Sequence, residues 1–145
     1  MNLDSAILDV VLRLPLSCLL GALIGWERET GGKPAGLRTN MMVALGAATF
    51  TLLATSLAPL QEAADPTRIV TGVATGIGFL GAGSIIQSRK GVEGMTTAAG
   101  VWVVGAIGAA CGLGAYSIAS VASVLAFVIL AFLRRLGDRA NPHPD

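Results

Sequence analysis

Charged side chains are scarce in this sequence, and it contains a single histidine. Only 13% of the 145 residues are charged and 53% are apolar, whereas soluble domains carry about 25% charged residues. A water-soluble chain of this length needs more polar surface than these residues supply. The ten Lys and Arg residues are scattered and the net charge is +1, so we expect no nucleic-acid partner. The composition predicts a protein whose partner is the lipid bilayer.

Motifs that would indicate an enzyme are also missing. Cys18 and Cys111 lie alone in apolar stretches, without the paired spacing of a zinc or redox site. No nucleophile is accompanied by a base and an orienting group. Gly76-x-Gly78-x-x-Gly81 matches the letters of a dinucleotide-binding fingerprint, but it lies inside an apolar segment and not between a strand and a soluble helix. We therefore expect neither catalysis nor a resident cofactor.

Long apolar segments are the main feature that is present. Three of them cover 7–24, 41–58 and 69–86, each close to the roughly 20 residues that a helix needs to cross a bilayer. A fourth stretch, 95–133, has no charge and about twice that length, with a turn signal at 112–114. The segments lack the alternation of barrel strands, and backbone groups in lipid are satisfied within helices. The sequence predicts an all-α integral membrane protein with about five transmembrane helices.

Basic residues favour one orientation of these helices. Cytoplasmic connections are enriched in Lys and Arg, and here basic residues mark every second connection, whereas the N-terminus carries Asp4 and Asp9. We therefore expect the N-terminus outside and the C-terminus inside, with a transmembrane domain over 1–137 and a short cytoplasmic tail over 138–145. The basic residues in question are Arg28, Lys33, Arg38, Arg89, Lys90, Arg134, Arg135 and Arg139.

Glycines recur at helical spacing within the apolar segments. Small-residue faces let helices approach closely in lipid, within one subunit or between subunits. We expect a glycine-rich bundle that forms a homo-oligomer or contacts other membrane proteins. For 76–81 a second interpretation stays open, a locally unwound helix whose carbonyls face an ion. The predicted packing glycines are Gly21, Gly25, Gly72, Gly76, Gly78, Gly81, Gly83, Gly108 and Gly112.

Polar residues around the first hairpin are candidate functional groups. Glu27 and Arg28 end the first span, while Arg38, Thr39 and Asn40 begin the second. The hairpin brings these two sets together. They form either a polar cluster that gates a path or contacts a partner, or an interfacial anchor whose charges reach outward and whose Thr39 or Asn40 caps the next helix.

Two further pairs complete the candidates. Asp9 and Arg13 are the charges inside the first span, and their four-residue spacing suits an ion pair on one helix. Ionisable residues within a membrane segment suggest function, although both lie near the outer interface. Thr96 and Thr97 open the fourth span, where they cap the helix or line a path.

Four motifs in order carry a family resemblance: LGALIGWERE at 20–29, KPAGLRT at 33–39, GIGFLGAG at 76–83 and GMTTAA at 94–99. Together they resemble the membrane domain of the MgtC/SapB family of bacterial inner-membrane proteins. The resemblance covers roughly 12–116 and continues more loosely through the last span. Longer relatives add a soluble C-terminal domain that lies outside it.

The resemblance implies a multi-pass inner-membrane protein that supports growth at low magnesium, by one of two mechanisms. One is a membrane regulator that acts through helix contacts, with the ATP synthase among the partners proposed for the family. The other is a magnesium transporter or channel. Because the second to fifth spans carry no charged residue, a path for hydrated magnesium would rely on hydroxyls, carbonyls and water, which favours regulation. Magnesium is the sensed ion in the first mechanism and the transported ion in the second.

Overall fold

The computed structural model describes the backbone of residues 3–57, 66–88 and 91–140, and the side chains of 7–57, 67–87 and 91–133. Five α-helices and one short hairpin make up this part of the chain. The predicted all-α membrane fold is thus confirmed, with the addition of one short β-hairpin. The elements are α1 (Leu3–Thr30), α2 (Leu37–Leu57), α3 (Pro66–Gly83), β1 (Ile86–Ser88), β2 (Gly91–Glu93), α4 (Met95–Gly112) and α5 (Tyr116–Ala140).

The helices follow the apolar segments, with shifted ends. α1 has 28 residues and extends beyond the predicted span 7–24 at both ends. The uncharged stretch 95–133 divides at the predicted turn, where Gly114 has a φ of 76°, a left-handed conformation typical of glycine after a helix. The predicted boundary between membrane domain and tail falls inside α5, and residues 141–145 lie outside the described part.

Four helices in the described residues are long and apolar enough to cross a membrane, covering 7–30, 37–57, 95–112 and 116–133. α3 is not among them, although its 18 residues span about 27 Å at helical rise. It nevertheless runs antiparallel to α4, because Gly81 lies against Ala98 and Ile77 against Gly105. α3 therefore returns the chain to the end of the bundle where α1 ends.

A β-hairpin that the sequence analysis did not predict connects α3 to α4. Its strands are antiparallel, with Ile86 opposite Glu93. Gly94 follows with a φ of 89°, and a Cβ at this position would overlap the carbonyl of Ser84. Each strand has three residues, which is too short to produce a visible alternation in the sequence.

α4 lies at the centre of the bundle and packs against each of the other helices. Half of the apolar segment of α4 is buried inside the bundle, compared with 11% of the apolar segment of α5. Close packing is possible because most of the buried residues are small. The buried apolar core includes Ile24, Ala44, Ala47, Ala48, Ile77, Val101, Val104, Ile107, Cys111 and Ala119.

Candidate functional site

Four polar side chains are buried where α1 ends and where α2 and α4 begin. Glu27, Arg28, Asn40 and Thr97 are each at most 7% exposed, and we call them the inner polar cluster. Arg28 Nη2 donates a hydrogen bond of 2.6 Å to Thr97 Oγ1, which joins the last turn of α1 to the first turn of α4. Burying ionisable groups is costly unless they are paired or hydrogen-bonded. Because ionisable groups are nevertheless buried in this membrane bundle, their position is a candidate functional site.

Asn40 organises the loop between α1 and α2. Its Nδ2 donates to the carbonyl oxygens of Ala35, at 2.5 Å, and Gly36, at 2.9 Å. Ala35 has a φ of 55°, which is uncommon for a residue other than glycine. The side chain therefore holds the loop carbonyls and does not accept from the first N–H groups of α2 as a cap does.

The cap of α2 comes instead from Glu29, to which the sequence analysis gave no such role. Its Oε2 accepts the backbone N–H of Leu37 at 2.8 Å. A carboxylate at a helix N-terminus is favoured by the helix dipole. The acceptor and donor lie eight positions apart, across a loop, so no local capping pattern indicates the contact.

The other predicted hairpin residues stay outside the inner polar cluster. Arg38 and Thr39 are exposed on α2, and Thr96 is exposed on α4. Successive helical residues point about 100° apart, so Asn40 and Thr97 turn inward while their neighbours turn outward. The hairpin thus brings Glu27, Arg28 and Asn40 into one buried region, and the roles predicted for Arg38, Thr39 and Thr96 remain predictions.

A second polar contact lies at the opposite end of α1. Arg13 Nη2 lies 3.0 Å from Asp9 Oδ2, the arrangement that their spacing predicts. Arg13 Nη1 also donates to the carbonyl oxygen of Gly112 at 2.9 Å. This places a cation at the C-terminus of α4, where the helix dipole favours it. No local pattern in the chain signals this contact between residues 99 positions apart.

Comparison with known proteins identifies the family. The model of the MgtC family matches residues 14–139. The chain belongs to the MgtC family. It is 42% identical over 134 residues to Protein MgtC of Salmonella typhimurium, a match that covers 92% of this chain and 56% of that protein. It is 45% identical over 118 residues to Protein MgtC of Brucella abortus, covering 81% of this chain and 48% of that protein.

The MgtC-family chain spans about half the length of these curated relatives. No solved structure matches it. The names of these relatives give the family and do not state a mechanism.

Five of the predicted packing glycines lie in contacts between helices of this MgtC-family chain. A Cβ on Gly21 would lie 2.7 Å from the carbonyl oxygen of Asn40, and one on Gly25 would lie 2.7 Å from Leu37 Cα. Gly81 packs against Ala98 in the same way, at 3.3 Å. The glycines of α4 admit α2, with Gly108 against Ala44 and Gly112 against Ala48.

The other four predicted packing glycines face open space. Gly72, Gly76, Gly78 and Gly83 have no atom of the described chain within 4 Å of an added Cβ. No contact with the described part of the subunit accounts for them, and their predicted contact between subunits or with other proteins stays a prediction. α3 is continuous from Pro66 to Gly83, so the unwound-helix interpretation of 76–81 is not what the structure shows.

Acidic residues near the inner polar cluster do not gather around one point. Glu27 is buried whereas Glu29 is exposed and bonded to Leu37, as expected for positions two apart on a helix. In the described residues, no group of three or more His, Cys, Asp or Glu side chains is arranged to hold a metal ion.

Proposed function

We propose that this MgtC-family chain regulates magnesium homeostasis from the bacterial inner membrane, through helix contacts with a second copy or with other membrane proteins. It crosses the bilayer five times with the N-terminus outside, and it acts without catalysis of its own. The outward face of α3 carries the proposal, because it differs from the lipid-facing sides of α1 and α5.

The α3 face consists of Thr71, Gly72, Thr75, Gly76, Phe79 and Gly83, all exposed. No atom of the described chain lies within 4 Å of a Cβ added to its glycines, and Phe79 projects among them with 81% of its surface exposed. Both threonine hydroxyls donate to carbonyls of their own helix at 2.8 Å. Glycines that surround a protruding ring suit close packing against another helix, which is how helices associate in lipid.

The lipid-facing sides of α1 and α5 have a different composition. α5 exposes large apolar side chains such as Val121, Leu125 and Phe132, and α1 exposes Leu8 and Leu19. Lipid chains pack against these residues as well as any protein does, so they need no partner. The contrast singles out α3 as the contact helix.

Hydrogen bonding at the inner polar cluster also supports regulation over transport. Arg28 donates to Thr97, and Asn40 donates to the loop carbonyls. The first bond joins α1 to α4, and the Asn40 bonds hold the loop against the first turn of α2, so both side chains serve the internal structure of the chain. A structural use of this kind is what a regulator that presents a rigid surface requires.

The test is growth at low magnesium of a bacterium whose own family member has been deleted. The variant Gly72→Leu with Gly76→Leu should lose the rescue that the unchanged chain gives, because two leucines fill the α3 face at positions where an added Cβ meets no atom of the described chain. Gly46→Leu on α2 is the matched control, since Gly46 also faces open space. Equal protein levels in membranes are checked by immunoblot, and full rescue by the α3 variant would contradict the proposal.

Magnesium transport is the alternative, and the burial of Glu27 favours it. A carboxylate that is 5% exposed within a membrane bundle suits a site on an ion path, since Mg²⁺ is bound through one or two carboxylates and retained waters. Magnesium transport is measured as magnesium influx into proteoliposomes under an inside-negative potential. Transport predicts influx above empty liposomes that falls with Glu27→Gln and Asp9→Asn, whereas regulation predicts none above the control.

A further inference from the structure

Two arginines of α1 reach opposite ends of α4. Arg13 donates to the carbonyl oxygen of Gly112, and Arg28 donates to the hydroxyl of Thr97. The arginines lie 15 positions apart on α1, and their partners lie 15 positions apart on α4. At helical rise both separations are about 22 Å. Both contacts therefore fit a single antiparallel register of the two helices.

We propose that Arg13 and Arg28 form a register clamp, which fixes the position of α1 along α4 by one polar contact at each end. The packing between these contacts is apolar, with Ile24 against Val104 and Leu14 against the cluster that contains Cys111. Apolar helix faces in lipid distinguish one register from the next only through van der Waals fit, because no hydrophobic expulsion holds them together. Hydrogen bonds to buried groups do distinguish registers, since a shift leaves them unmade.

The two ends of the clamp are held by different electrostatics. Arg13 lies at the C-terminus of α4, where the helix dipole attracts a cation, and Asp9 supplies the opposite charge. Arg28 lies at the N-terminus of α4, where the dipole repels a cation. It is held there by its hydrogen bond to the hydroxyl of Thr97. A slide of α1 by one turn breaks both contacts together.

Two native cysteines provide a test of this register. Leu14 packs against the buried cluster that includes Cys111, and Cys18 lies one helical turn farther along α1. Leu14 follows Arg13 and Cys111 precedes Gly112, so the contact between Arg13 and Gly112 places these two positions at the same level. The variant Leu14→Cys, Cys18→Ala therefore reports the observed register when it is oxidised in membranes. The native pair Cys18 and Cys111 reports a register that is shifted by one turn. Disulfides form when Cα atoms approach within about 7 Å, and intramolecular links are identified by mass spectrometry of the monomer band.

The clamp is removed by combining Arg13→Gln with Thr97→Val, and Thr96→Val is the matched control because Thr96 is exposed one position away. With the clamp intact, the in-register pair should link at high yield and the native pair at low yield. Without it, the in-register yield should fall several-fold while the native pair gains. Arg13→Gln or Thr97→Val alone should leave the ratio near that of the unchanged chain, since one end still holds.

Three results would overturn the clamp. The first is an unchanged ratio in the double variant, which would mean that packing alone fixes the register. The second is a single substitution that shifts the ratio as far as the double variant does, which would show that the two ends do not act together. The third is a shift of equal size with Thr96→Val. If the double variant does not accumulate, Arg13→Leu with Thr97→Ala, which also removes both contacts, replaces it and is judged by the same ratios.

Discussion

At the scale of single residues, the same amino acid serves two purposes in this bundle. Gly21 and Gly108 permit contact with α2, because an added Cβ would meet backbone atoms of Asn40 and Ala44. Gly46 and Gly72 have the same φ range and open space around them. The difference lies in the neighbours and not in the backbone, so alanine substitution separates the two kinds.

Gly21→Ala and Gly108→Ala should each lower the free energy of unfolding by about 1–3 kcal/mol, as overpacking does. Gly46→Ala and Gly72→Ala should be neutral or stabilising by up to about 1 kcal/mol, because alanine favours helix over glycine. Unfolding of the purified protein in mixed detergent micelles measures both sets. Equal losses in all four variants would show that the contacts of Gly21 and Gly108 are not decisive.

At the scale of helices, α2 begins where a side chain of the preceding helix caps it. Glu29 Oε2 accepts the N–H of Leu37, and a Cβ on Gly36 would lie 2.7 Å from the same oxygen. The Glu29 carboxylate thus lies against the last residue of the short loop 31–36 and holds the chain where α2 begins.

Glu29→Gln should loosen the first turn of α2 by about 0.5–1 kcal/mol, because it removes a negative charge from a helix N-terminus. Amide hydrogen exchange of the α2 peptides measures the effect, which should fade within the first turn. Glu93→Gln removes an exposed charge on β2 and serves as the control, with no change expected in α2. Faster exchange along the whole of α2 would contradict a local cap.

At the scale of the whole molecule, the contacts between helices determine which loops share a side of the bundle. Arg28 meets Thr97, so the loop after α1 and the hairpin before α4 lie at the same end. The turn between α4 and α5 lies at the other end, beside Arg13. α3 must therefore traverse the bundle, although it is not among the four helices that are long and apolar enough to cross a membrane.

Single cysteines should reveal this arrangement in intact cells, once Cys18 and Cys111 are replaced by alanine. Lys33→Cys and Gln87→Cys should be protected from a membrane-impermeant thiol reagent, whereas Leu113→Cys should be labelled; all three positions are exposed in the fold. Permeabilised cells provide the control for reactivity. Labelling of Gln87→Cys but not Lys33→Cys from outside would mean that α3 does not cross the bilayer.

Local sequence predicted much of the fold and less of the site. The scarcity of charge indicated lipid, the lengths of the apolar segments gave the helices, and the glycine at 114 placed the last turn. The spacing of Asp9 and Arg13 predicted their ion pair. The positions of the motifs predicted Glu27, Arg28, Asn40 and Thr97 as candidate functional residues. They predicted the neighbours Arg38, Thr39 and Thr96 equally, and these are exposed.

The sequence by itself determined the lipid environment, the helices and the contacts made within one helix. Each of these depends on composition or on spacing along a few helical turns. The tertiary structure decided which glycines pack and which face outward. It also decided that Arg28 meets Thr97, 69 positions away, and that Arg13 meets Gly112, 99 positions away. Such contacts depend on the order and register of helices around α4, and no local pattern in the chain encodes that register.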